Sequence, residues 1–171
     1  MIEKIAKLLK LIDALAEYSA KLFSFLVLII IGVETMEVVL RYVFKSPTDW
    51  SWELSTLLTG VSFMMGAAWV LKEKKHVRTD IIYGRLSRKW QAILDVIFFG
   101  VIFTPFLGVL AWKSIENVIY SWQINERTFS MWGPPIAPSK TIFAIGILLL
   151  ILQGIAQVTR DVIFIVKGEE I

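Results

Sequence analysis

The sequence predicts an all-α integral membrane protein with four transmembrane helices, forming one membrane domain over 1–171. Three observations carry this. Hydrophobic residues make up 56% of the 171 positions and charged residues 19%, against roughly 45–50% and about 25% in soluble domains. The apolar excess gathers in uncharged runs at 54–71, 96–112 and 141–159. A shorter run, 22–33, continues into apolar residues interrupted by Glu34, Glu37 and Arg41. A helix rising 1.5 Å per residue needs about 20 residues to cross a hydrocarbon core of roughly 30 Å. Four such helices use most of the chain, so a soluble enzyme with a core and loops is excluded.

Residues 1–18 form the first element, an amphipathic interfacial helix and not a span. Ile2, Ile5, Leu8, Leu9, Ile12, Leu15 and Ala16 follow helical spacing, with Glu3, Lys4, Lys7, Lys10, Asp13 and Glu17 on the other side. Charges recur through Lys21 and no small-residue cleavage site follows the apolar run, so a signal peptide is not predicted. The four-helix region then fills 19–171. Its first span covers about 21–44 and ends at Lys45-Ser46-Pro47-Thr48-Asp49, where proline blocks the helix and Asp49 is the expected N-cap of the second span. The second span, about 50–71, leads into a basic loop and a short amphipathic stretch around 81–90. The third, about 91–113, contains Pro105, which is expected to bend it without breaking it. A Trp- and Pro-rich loop at 120–138 precedes the fourth span, about 139–163.

Thirteen of the 18 lysines and arginines fall in the N-terminal segment, the 72–90 loop and the C-terminal end; the other two loops hold five. The positive-inside rule therefore predicts that both termini are cytoplasmic. The same pattern argues against nucleic acid as a partner, because the basic residues mark helix ends rather than one soluble face. The partners expected from composition are membrane lipids. Cysteine is absent and His76 is the single histidine, which excludes thiolate chemistry and bis-imidazole haem and leaves no metal-ligand set. No nucleophile–base pair, phosphate-binding loop or carboxylate dyad occurs. No catalytic residue, cofactor or metal site is assigned, and the chain is not expected to be an enzyme.

The polar residues within the spans are the candidate sites. Glu34, Glu37 and Arg41 share one face of the first span, and Glu37 stands four residues before Arg41, the favourable order for an intrahelical pair. Glu53, one turn into the second span, is expected at the level of Arg41 and in one network with it. An ionised group facing lipid costs roughly 2.5–3.5 kcal/mol, so these four need partners. Glu34 could couple transport to a cation, but coupling sites favour the midplane and broken helices. A structural cluster is the better reading. Ser55, Thr59, Ser62 and Gly66 on the second span, and Gly100, Thr104 and Gly108 on the third, are expected helix-packing faces. Gln153, Gln157 and Arg160 share a face of the fourth and are expected to join helices.

Arg41-Tyr42-Val43-Phe44, Pro47, Trp50 and Glu53, Gly66, then His76-Val77-Arg78 with Asp80, together resemble the small membrane subunit (Q component, DctQ type) of TRAP (tripartite ATP-independent periplasmic) transporters. The match covers about 40 residues in register, and the four-helix layout extends it along the chain. The resemblance implies a non-catalytic small permease subunit of a sodium-coupled secondary transporter that imports organic acids. Its partners would be a large multi-span membrane subunit, held as a stable heterodimer, and a periplasmic substrate-binding protein. Its place would be the inner (plasma) membrane of a bacterium or archaeon. The small subunit would brace the scaffold of the large one, with Glu34, Glu37, Arg41, Trp50, Glu53, His76, Arg78 and Asp80 as contact candidates. The alternatives are a small autonomous four-helix transporter using Glu34, and an assembly subunit of a different membrane complex.

Overall fold

The computed structural model describes residues 2–73 and 86–168. It contains four helices long and apolar enough to cross a membrane. These are α1 (Ile2–Tyr42), α2 (Ser51–Lys72), α3 (Arg88–Gln123) and α4 (Ala137–Lys167). The amphipathic segment and the first span are one unbroken helix. No glycine or proline lies between Ala16 and Lys21, and the Ser19 hydroxyl, which donates to Ala16 O at 2.9 Å and Met65 O at 3.2 Å, fastens the join to α2. The N-terminal segment also leans on the chain's own α4, burying Leu9 and Ala16.

The other helix ends follow from local chemistry. α1 stops where Lys45 enters the left-handed region at φ 54° and Ser46 N donates to Leu40 O. Asp49 does not cap α2: the N-cap position is Trp50, with no side-chain bond. The carboxylate serving this hairpin comes instead from Glu37. α4 starts with Pro138 in its first turn and ends at Gly168, whose φ of 73° lets its N–H reach Phe164 O. In α3 the turns from Phe98 to Phe103 widen to π-helix just before Pro105. Proline has no N–H for the carbonyl four residues back, and its ring crowds that carbonyl. The Thr104 hydroxyl donates to Phe99 O at 2.6 Å, so the helix adjusts and continues. The third helix also runs ten residues past the expected 113, because hydropathy marks the hydrocarbon crossing and not the end of the helix.

The helices make an open row. α1 packs on α2, α2 on α4, and α3 on α4, while α4 also touches α1. Leu71, Phe99, Leu107 and Leu150 form the core where α2, α3 and α4 meet. Two glycines of α4 permit this. A Cβ at Gly146 would stand 3.0 Å from the Met64 backbone, and one at Gly154 3.1 Å from the Phe103 ring. The expected packing glycines behave otherwise: nothing lies within 4 Å of a Cβ built on Gly66, Gly100 or Gly108. The small-residue stripe of α3 faces outward. Spacing shows that residues share a face but not which face the neighbour takes.

Candidate functional site

α2, at 22 residues, is about 33 Å long, close to the thickness of a hydrocarbon core. Its two ends give two reference levels. At one, Lys72 Nζ donates to Glu17 Oε2 at 2.8 Å, and Lys21 Nζ donates to Glu17 Oε1 at 2.7 Å. At the other, the Glu37 carboxylate clamps the α1–α2 hairpin. Its Oε1 accepts from Arg41 Nε at 3.0 Å and Nη2 at 2.5 Å; its Oε2 accepts from Thr48 N at 3.0 Å and Oγ1 at 2.5 Å. Glu37 is buried while the Arg41 side chain remains half-exposed. Glu17 and Glu37 are about 30 Å apart along α1, one hydrocarbon thickness. Both ion-pair groups therefore sit at membrane boundaries.

The expected Glu37–Arg41 pair forms, but Glu53 is not in its network. Glu53 Oε2 accepts from Ser130 Oγ at 2.5 Å, in the loop between α3 and α4. Trp50 also turns to that loop, its ring 6.4 Å from Trp132 at 56°. Placing Glu53 at the right depth did not fix its direction, which is set by the folded loop. Glu34 is half-buried on the outer part of α1, about one turn inside the Glu37 level, and has no hydrogen-bond partner among the described residues. His76, Arg78 and Asp80 lie outside the described residues, as does 81–85 of the expected amphipathic stretch; 88–90 begin α3.

Two further clusters join distant parts of the chain. Near the N-terminal level, Asp13 accepts from Gln153 Nε2 at 2.9 Å and Arg160 Nη2 at 2.6 Å. Gln157 Nε2 donates to buried Asp161 at 2.9 Å, and Arg88 approaches Asp161 at 3.8 Å with its guanidinium over the Phe164 ring. These bonds tie α4 to α1 and to the start of α3. The shared face of Gln153, Gln157 and Arg160 was legible in the sequence; Asp13 as their acceptor was not, since it reads as the polar side of an interfacial helix. At the opposite end, Lys140 Nζ donates to Glu126 Oε2 at 2.6 Å, Ser121 Oγ at 2.9 Å and Asn117 Oδ1 at 3.0 Å. Ser121 Oγ also donates to Glu126. Lys140 and Ser121 hold the Glu126 carboxyl below its ordinary range. Arg127 donates to Gly133 O, and Arg127 bridges Pro135, so the loop is a compact hairpin.

All these pairings are structural. No described group of three or more His, Asp or Glu residues could hold a metal ion. The π-helical turn of α3 carries Phe, Gly, Val and Ile, with no ionisable group. The arrangement can fasten helices and position a surface.

Comparison with known families gives a match over residues 15–163 to the family described as tripartite ATP-independent periplasmic transporters, DctQ component. No curated protein and no solved structure gives a match.

Proposed function

Since the chain belongs to the DctQ component family of tripartite ATP-independent periplasmic transporters, and is thus a small transporter subunit and not an enzyme, we propose that it braces the scaffold of a large membrane subunit. The complex would import organic acids with sodium, taking substrate from a periplasmic binding protein. The observation that carries this reading is α1. Its apolar membrane-crossing stretch is only 6% buried within the chain, against 44% for α4. A long helix pinned by charged clamps at both boundary levels and otherwise uncovered is suited to lie against a larger partner. The candidate contacts are Glu34, Glu37, Arg41, Trp50 and Glu53, with His76, Arg78 and Asp80 on the basic loop. The lysine and arginine distribution supports cytoplasmic termini in a bacterial or archaeal inner membrane.

Glu34 sits about one turn inside the outer boundary level and on an unbroken helix. Coupling sites favour the midplane and discontinuous helices, so sodium is coupled elsewhere. The test is reconstitution in proteoliposomes with the large subunit and the binding protein. Leaving this chain out should abolish substrate uptake, while Glu34→Gln should leave the sodium dependence unchanged. Uptake by the chain alone, or a sodium dependence lost in Glu34→Gln at normal complex levels, would replace the brace with an autonomous or coupling role.

A further inference from the structure

An open groove of about 740 Å³ runs between α1 and α2. Its floor is made of small residues, Ala20 and Ser24 on α1 with Gly66 and Ala67 on α2. A Cβ on Gly66 would meet nothing within 4 Å. Phe63 and Val70 form its sides. Its hydroxyls are turned away from any occupant: Ser24 Oγ donates to Lys21 O at 2.7 Å and Ser62 Oγ to Leu58 O at 2.8 Å. The lining is therefore effectively apolar along its length.

One end of the groove is charged. Glu17, Lys21 and Glu73 border it, and Lys72 adjoins through its bond to Glu17. Two ammonium groups and two carboxylates meet at this mouth, so its formal charge is zero with both signs present. The Lys72–Glu17 bond puts the mouth at the end of α2, the membrane boundary beside the N-terminal half of α1. From Glu17 to Val27, and from Lys72 to Ser62, the groove extends about 15 Å. That is half of a hydrocarbon core of roughly 30 Å, the depth of one leaflet.

We propose that this groove binds one zwitterionic aminophospholipid, its acyl chain lying over Gly66 and its phosphate and ammonium placed against the lysines and carboxylates of the mouth. An anionic head group would meet the carboxylates without an ammonium to match them, and an apolar helix would leave the charged mouth without a counterpart. The small-residue stripe of α2, which closes no contact at Gly66 within the chain, is then the bed of a lipid.

Native mass spectrometry of the full chain, alone and in complex with the large subunit, tests this after exchange into nanodiscs of palmitoyl-oleoyl phosphatidylethanolamine or of the phosphatidylglycerol counterpart. One phosphatidylethanolamine should stay bound per chain in both preparations, and phosphatidylglycerol should be retained several-fold less. Gly66→Leu, which fills the floor without touching a neighbour, should reduce the bound lipid at least tenfold. Ala20→Leu fills the same bed from α1 and replaces Gly66→Leu if that variant does not accumulate. Lys21→Glu should reduce retention of phosphatidylethanolamine several-fold with the apolar walls intact. Retention unaffected by filling the groove overturns the site, and equal retention of both lipids overturns the head-group assignment. Loss of the lipid on binding the large subunit assigns the groove to a partner helix and overturns the proposal.

Discussion

α1 and α4 carry the same mean hydropathy in their most apolar stretches, 2.2, yet 6% of that stretch is buried in α1 and 44% in α4. In water such helices would both be driven to bury. In a bilayer the surrounding lipid is as apolar as the side chains, so apolarity alone does not bring helices together. What separates the two is small and polar residues. Gly146 and Gly154 let α4 approach the Met64 backbone and the Phe103 ring, and Ala144, Ala156, Gln153 and Gln157 are buried beside them. The crossing stretch of α1 is rich in Phe, Leu, Ile and Val, with Phe25, Leu28 and Ile31 exposed. It joins its neighbours at the ends, through Ser19, Glu17 and Glu37, and leaves its middle to lipid or a partner.

The comparison breaks most readily at Gly146. Leucine there would drive side-chain atoms into the Met64 backbone, which cannot rotate away. Overpacking of this kind costs about 3 kcal/mol. Gly146→Leu should strongly lower the thermal midpoint of the purified chain in detergent, whereas Gly32→Leu on α1, with nothing within 4 Å, should leave it nearly unchanged. Equal effects at the two sites would mean that close approach is not what distinguishes the helices.

A smaller effect is expected where the two helices meet. Arg160→Ala leaves Asp13 with Gln153 as its remaining donor among these contacts. Losing one member of a fully buried pair costs roughly 3–5 kcal/mol. With the side chains of Arg160 and Asp13 20% and 22% exposed, about 2 kcal/mol is expected. Adding Asp13→Asn should restore part of the loss, which a double-mutant cycle on thermal midpoints measures. Additive losses would show that α1 is held to α4 without this pair.

The smallest effect sharpens the comparison at the other end of α4. Lys140 and Ser121 keep the Glu126 carboxyl below its ordinary range, so its folded form binds a proton less readily than its unfolded form. The stabilisation is complete above the ordinary carboxylate pKa of about 4.3 and is lost as pH falls through the depressed folded value. Midpoints of Glu126→Gln measured from pH 7 to pH 3 should therefore fall less steeply than those of the natural chain. Parallel curves would remove Glu126 from the clamp on the start of α4.

The sequence by itself determined the four spans, the helical class and the family. Length and hydropathy are properties of single segments, and a 30 Å apolar solvent selects for them directly. It also determined the Glu37–Arg41 pair, because i,i+4 spacing fixes that geometry on any helix. Gln153, Gln157 and Arg160 were visible as one face for the same reason. Only the tertiary structure decided what that face meets. It put Asp13, 140 residues before Gln153, opposite the fourth helix, and it turned Glu53 to Ser130 instead of Arg41. It also placed the close contacts at Gly146 and Gly154 while leaving Gly66, Gly100 and Gly108 open. A periodic pattern states which residues of a helix point the same way; the rotation of one helix about its axis relative to the next is a joint property of both surfaces, and it exists only once they have packed.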